Sequence, residues 1–377
     1  MSHARLRINY RVLTVFLVVG LVMLASAAAV VLGAGQARLR ASFGNHLSSV
    51  ADQTAANVDS YVYRRAIEAS ILAAVPEIRR GASEASKVPV EAAAVRQHDR
   101  EWQRTGAVPA ALAGLMASDA SRFLAEVIRN DQTYRELLLA DRHGRLIAAS
   151  GITSDYYQGD EEWFTRTLKG GASGRMQVGG VTWDDSADAW ALEISVPVEQ
   201  PGDTAPAGVL KAVVDIREMV ATVAAVRLGA TGNAALVADD GTLVLNVGRR
   251  VPGEQFFAAD LLRERLQAAG GEPSGQIHFG ASAGGGEARM VGIGMSQLRA
   301  SYPHLKWLVA VSQADSELFT PVRYQLWSLL AVLALTAIAV LGLALWFSLR
   351  LAAPSTMDDL HLVQHPKVET IDGSETV

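Results

Sequence analysis

Few residues of this 377-residue chain are typed and spaced for chemistry. The eight histidines, His3, His46, His98, His143, His278, His304, His361 and His365, are scattered, and no HExxH pair, GxSxG elbow or Walker loop occurs. The sequence therefore predicts neither an enzyme nor a cofactor. Asp184, Asp185 and Asp188 bring hard oxygen ligands together, but without the ordered spacing of a calcium loop. Gly284-Gly285-Gly286 is followed by no Lys-Ser or Lys-Thr, which argues against a phosphate cradle. What remains is an aromatic and acidic block, DYYQGDEEWF, from Asp155 to Phe164. Within it, Gly159-Asp160-Glu161-Glu162-Trp163 suits a helix start, with Asp160 capping the first turn, the acids favoured by the helix dipole and Trp163 in the core.

That block must be held by the stretch Leu137 to Met219. Its periodicity reads as strand, tight turn, strand, a short helix and three more strands, an antiparallel sheet with a pocket-forming insert. Gly144 supplies the positive φ of the turn Asp141-Arg142-His143-Gly144. A second edition follows: AALVADDGTLVLN (Ala234 to Asn246) repeats the hairpin, and ARMVGIGMSQL then WLVAVSQAD echo WALEISVPV then GVLKAVVDI, which points to duplication. The glycine-rich run from Gly270 to Gly294 reads as a mobile loop. Upstream, Leu39, Phe43, Leu47, Val50, Thr54, Val58 and Tyr61 recur at helical spacing, a long helix whose narrow stripe suits its own domain or a second copy. Residues 81–120 read as short helices and loops, with Trp102 in the core.

Two runs without a charge bracket all of this. Val12 to Gly33 and Leu326 to Phe347 hold 22 residues each. As helices they span roughly 33 Å, the thickness of a bilayer core. Arg5, Arg7 and Arg11 before the first run place the ends inside and residues 35–322 outside. A cleaved signal peptide is the competing reading of the first run, with Ala25-Ser26-Ala27 as its cleavage site, although the apolar stretch continues to Leu32. The absence of cysteine fits an oxidising compartment without requiring one. A net charge of -5 with no basic stripe argues against a nucleic-acid partner.

This order of elements resembles the double Cache (PAS-like) extracytoplasmic sensor domain of bacterial chemoreceptors, histidine kinases and diguanylate cyclases. The resemblance covers about residues 35–322 and rests on Asp141 with Gly144, the Tyr156 to Phe164 block, Val196-Pro197-Val198, Gly208 and Val214-Asp215. It implies an α+β fold: a long N-terminal helix and two tandem antiparallel sheets, flanked by two transmembrane helices. The expected division is a cytoplasmic N-terminus (1–11), transmembrane helix (12–34), stalk helix (35–80), membrane-distal ligand-binding subdomain (81–222), membrane-proximal subdomain (223–322), second transmembrane helix (325–348) and short cytoplasmic tail (349–377). The location implied is two-pass in a bacterial inner membrane, with the main domain periplasmic.

The resemblance also implies a small-molecule ligand in the first sheet. Aligned on Trp163, the amino-acid-sensing pattern puts Tyr156 at its first aromatic, Phe164 at the aromatic after Trp163, Trp183 near a later Tyr with Asp185 beside it, and Asp215 at its terminal Asp; Tyr157 adjoins Tyr156. Glu161 stands where the pattern has Arg. Arg suits a carboxylate because its fork donates two parallel hydrogen bonds. An acid there attracts an ammonium instead, which Tyr156, Trp163 and Trp183 would cage through their ring faces. The expected ligand therefore carries an amine, with Asp215, Glu161 and Asp185 as counter-charges. The 27 residues after Arg350 are polar and read as disordered, leaving no room for a kinase or cyclase. The expected partners are thus the ligand, the membrane, a second copy through the 36–75 helix, and a separate signalling protein. A surface binding or scavenging protein and a truncated receptor are the alternatives.

Overall fold

The computed structural model describes residues 10–169, 175–184, 188–200, 202–246, 253–268, 277–282 and 287–351. Helix α1 runs from Tyr10 to Ala74, and Pro76 ends it, because the residue before a proline is pushed out of the α region: Val75 has ψ 138°. The stalk therefore stops six residues short of the expected 80. Helices α2 (Pro76–Ser86) and α3 (Ala92–Thr105), a 3-10 turn (Ala110–Leu112) and α4 (Asp119–Asn130) follow. Ser118 caps α4 by accepting the Ser121 N–H. The first sheet then comprises β1 (Tyr134–Asp141), β2 (Leu146–Ala149), helix α5 (Glu162–Leu168), β3 (Gln177–Asp184), β4 (Ala189–Val198) and β5 (Gly208–Asp215).

Helix α6 (Arg217–Ala224) leads to β6 (Asn233–Ala238), β7 (Leu243–Asn246), α7 (Ala259–Ala268), β8 (Ile277–Ser282), β9 (Ala288–Met295), the short α8 (Leu298–Ser301) and β10 (Trp307–Ala314). Helix α9 (Asp315–Leu351) begins at the next residue. Both sheets are antiparallel, in the orders β2-β1-β5-β4-β3 and β7-β6-β10-β9-β8. The repeat extends to single hydrogen bonds. In the first sheet Leu146 N donates to Tyr156 O and Gln158 N to Gly144 O; in the second Leu243 N donates to Glu254 O and Phe256 N to Gly241 O. Gly144 and Gly241 both have positive φ, 81° and 84°, as their turns require.

Residues Arg40–Phe319 form one compact unit. Each sheet lays one face on α1, whose buried stripe is made of small residues: Leu47, Ala51, Ala55, Val58, Val62, Ala66, Ala69 and Ala73. Small side chains let the helix backbone come close. The glycine-rich run holds two strands, β8 and β9, rather than a loop throughout; 270–276 and 283–286 lie outside the described residues. Gly292 and Gly294 of β9 let that strand lie close against α1: a Cβ on Gly292 would fall on the Leu47 carbonyl carbon and Ser48 nitrogen, and one on Gly294 on Ala51 and Asp52. Gly294→Ala should therefore destabilise the chain by about 1–3 kcal/mol through overpacking, read from urea unfolding.

Polar contacts fix the helix height. Asp59 accepts from Ser296 Oγ at 2.5 Å and Gln297 N at 2.6 Å, next to β9, while Tyr61 Oη donates to the carbonyl of Asp215 at 2.8 Å. Burial pushes the Asp59 carboxyl up from its ordinary value, against the pull of those two donors. At the other end of the second sheet, Glu317 of α9 accepts from the Thr231 hydroxyl, from Ala230 N at 2.6 Å and from Thr231 N at 3.0 Å, which together hold its carboxyl down at about 2.

The second unit comprises 1–39 and 320–377, and its described parts are helical. Here a Cβ on Gly20 would meet Val340 Cγ1 at 2.9 Å. Both uncharged runs lie within α1 and α9. Among the described residues no helix is long and apolar enough to cross a membrane, and several side chains of both runs, like most of the 349–377 tail, lie outside that set.

Candidate functional site

Alternation assigns the faces of the first sheet. Leu210, Ala212 and Val214 of β5 pack on α1, so Val209, Lys211, Val213 and Asp215 face the other way. Paired residues share a face, which puts Glu193 (opposite Val213), Ser195 (opposite Lys211) and Leu138 (opposite Lys211) on this outer side too. Helix α5 covers it. Trp163, Phe164 and Leu168 pack on Ala140 and Val209, and Thr167 Oγ1 lies 2.8 Å from Ser195 Oγ, both buried.

At the centre of this face stands Lys211, its side chain 10% exposed. Its Nζ is 2.8 Å from Glu193 Oε1 and 3.8 Å from Asp184 Oδ2, and 5.6 Å from the Trp163 ring centroid. Burial alone would lower the lysine, but Glu193, Asp184 and Glu136 together hold it above its ordinary value. Glu161 is pushed up by burial and by Asp160 and Glu193, while Lys211 pulls it down. Four acids thus surround one ammonium. A further acidic group adjoins them: burial, then Asp99 and Glu161, push the Asp155 carboxyl up to about 6. The buried Trp163 Nε1 has no hydrogen-bond partner.

The sequence-expected residues distribute as follows. Glu161, Trp163 and Phe164 meet at this centre. Glu161, rather than Asp160, is the N-cap of α5, and its side chain makes no capping bond. Tyr156 packs toward the β2 edge with Trp102, the rings 6.4 Å apart, and lines a separate cavity of about 490 Å³ with Arg80, Arg145 and Ile147. Tyr157 is half-buried; Asp99 Oδ1 accepts both its N–H, at 2.9 Å, and that of Tyr156, at 3.1 Å. Trp183 pairs with Trp190 and is therefore on the α1 face, 46% exposed, away from Lys211; its neighbour Asp184 is the residue that faces in. Asp185 lies outside the described residues. Asp215 is buried in an ion pair: its Oδ2 accepts from Arg135 Nε at 2.6 Å and Arg217 Nε at 2.9 Å. Among the described residues no group of acids and histidines is arranged to hold a metal ion.

Sequence reading missed Glu136, Asp184, Glu193 and Lys211. The signal was present: Glu193 and Lys211 are lone charges inside apolar strands, WALEISVPV and GVLKAVVDI, at registers that face the same side.

No family model and no curated protein matches the chain. Among solved structures it is similar to the ligand-binding domain of the Pseudomonas aeruginosa amino-acid chemoreceptor PctC in complex with GABA. That likeness has 15% identity and a TM-score of 0.47, covering 72% of this chain and 100% of that one. It is also similar to the domain of Pseudomonas fluorescens CtaA with L-serine, at 16% identity and 0.43 over 74% and 99%. A third is that of Campylobacter jejuni Tlp3 with L-norvaline, at 11% and 0.49 over 76% and 96%. These neighbours are chemoreceptor ligand-binding domains. This chain's own architecture, two antiparallel sheets of one strand order on a long helix, is the one the sequence resemblance implies.

Because the two sheets share one strand order and one turn pattern, one serves as a control for the other. The turn bonds align Gly144 with Gly241 and Gln158 with Phe256, and the ladders align Gly208 with Trp307. On this superposition Glu161, Glu193, Lys211 and Asp215 of the first sheet correspond to Ala259, Val291, Ala310 and Ala314 of the second. The centre of the second sheet's outer face is an apolar core of Val237, Leu262, Val291, Ile293 and Leu308, with one polar cluster, Arg289, Ser312 and Asn233, towards one end. The four positions matched to Glu161, Glu193, Lys211 and Asp215 thus carry no charge in the second sheet.

Proposed function

We propose that the chain is a membrane-anchored extracytoplasmic sensor subunit that binds an amine-bearing small molecule on the outer face of the first Cache sheet and signals through a separate partner. The observation that carries this reading is the excess of carboxylates there, Glu136, Glu161, Asp184 and Glu193 about Lys211, where the duplicate sheet has Ala259, Val291 and Ala310 in place of Glu161, Glu193 and Lys211. One ammonium is shared among these acids, and a ligand cation would add a second positive charge to the patch. The unpartnered indole N–H of Trp163 would take an acceptor atom of the same ligand. The two uncharged runs at the helical ends support anchoring, with residues 35–322 outside and a second copy meeting along the 36–75 helix. Transmission is supported by Tyr61, which bonds the last residue of β5, and by β10, which continues into α9 without a loop.

Calorimetry on the full chain tests this with amines lacking a carboxylate, amino acids, and carboxylates lacking an amine. The first two classes should bind; binding by the last class alone would refute the amine. The pH dependence is a second check. Asp155, at about 6 against an ordinary 3.8, favours its neutral form in the folded chain, so ionising it above that pH carries a penalty that a ligand cation relieves. Amine affinity should therefore rise between pH 5 and 7.5, by roughly five-fold for a contact of about 1 kcal/mol in water-like surroundings. Affinity that fell over this range would point to a bound anion.

A further inference from the structure

The centre of the first sheet is already occupied by a cation, and that cation belongs to the chain. The Lys211 ammonium is bonded to Glu193 at 2.8 Å, faces Asp184 at 3.8 Å, and stands 5.6 Å from the centroid of the Trp163 ring. A carboxylate on one side and an indole face on the other is the environment that a primary alkylammonium ion selects. The Trp163 side chain, 7% exposed, has its N–H unsatisfied, so the seat is incomplete as a purely structural ion pair. Nor does the sheet require a lysine at this register, since the duplicate strand carries Ala310 in the same place.

We infer that Lys211 is a resident occupant of an organic-cation seat, a specificity-determining residue that an incoming primary amine must displace, and that removing its side chain opens a latent alkylammonium site bounded by Glu193, Asp184 and Trp163. The lysine ammonium sits on a flexible four-carbon stem, so withdrawal needs only rotamer changes. Its presence sets a threshold: weakly held cations do not dislodge it, whereas a ligand that also satisfies the Trp163 N–H does. The inference deepens the reading above and rests on the same face of the sheet.

The test is chemical rescue of the full chain carrying Lys211→Ala. Truncation leaves Glu193 and Asp184 without their cation, so the variant should melt below the wild type. n-Propylammonium should then raise its melting temperature saturably by several degrees and shift the wild type, whose lysine it must first displace, by clearly less. n-Propanol, butyrate and sodium chloride at equal ionic strength should not substitute for it. The double variant Lys211→Ala, Glu193→Val, which copies the second sheet, should fold and show no rescue. Should the single variant fail to fold alone, refolding it in n-propylammonium reads the same effect. Absence of rescue, or equal rescue by n-propanol, overturns the proposal. Rescue of the variant beside a wild type that binds no amine would refute the amine-sensor reading and keep the latent seat; amine binding by the wild type without rescue would do the reverse.

Discussion

Asp141→Ala is expected to cost about 3–5 kcal/mol of stability, the amount associated with stranding one partner of a buried ion pair. Asp141 is 0% exposed and its carboxylate accepts three hydrogen bonds. Its Oδ1 accepts from His143 N at 2.9 Å and Arg145 N at 3.0 Å, closing the β1–β2 turn. Its Oδ2 accepts from the Arg145 guanidinium at 2.6 Å, and that side chain is only 11% exposed. Arg145 in turn donates to the carbonyls of Ala85 at 2.7 Å and Val88 at 3.2 Å, so it also ties down the end of α2. With alanine at 141 the guanidinium loses its counter-charge and two N–H donors of the turn lose their shared acceptor. Asp141→Asn retains an acceptor for the turn and should lose roughly half as much. For a body of this size the alanine variant should melt roughly 6–20 °C lower. A loss below about 1 kcal/mol in urea unfolding would show that Arg145 finds water instead.

The contrast between the two hairpins shows what sequence could and could not supply. The Asp and Gly of ADRHG and ADDG announce turns, because a positive φ favours glycine whatever surrounds it. The alternation of apolar residues in β4, β5, β9 and β10 likewise reports a property of each strand alone. Both sheets and their duplication were therefore legible. The glycine run was not: Gly292 and Gly294 serve an approach of β9 to α1, more than 200 positions away in the chain, and local composition reads them as a loop. Trp183 and Asp184 illustrate the same limit at the site. A shift of one residue in register exchanges the faces of a strand, so the pattern located the pair but gave the inward position to the aromatic instead of the acid. Lys211 was passed over because a lone lysine in a strand is ordinarily solvated; only its neighbours on β4 and α5 make it the centre of a charged cluster.

Asp215→Ala is expected to destabilise the ligand-free chain by about 2–3 kcal/mol, the range of hydrogen bonds to a charged group. The resemblance assigns this acid to the ligand, whereas its environment accounts for it without one. Oδ2 accepts from Arg135 Nε and Arg217 Nε, Oδ1 accepts from Arg217 N at 2.8 Å, and the backbone N–H donates to Thr133 O at 2.8 Å. The carbonyl receives Tyr61 of α1. The cost stays below that at Asp141 because Arg135 and Arg217, 36% and 72% exposed, can turn to solvent once the acid is gone. A counter-charge held in reserve for a ligand behaves differently: truncating it relieves repulsion, leaves the free protein as stable as before, and weakens only binding. Urea unfolding without ligand therefore separates the two roles. If Asp215→Ala matches the wild type there but abolishes amine binding, the acid belongs to the ligand; if stability falls while affinity drops less than in Glu193→Gln, Asp215 is the joint through which β5 holds α1.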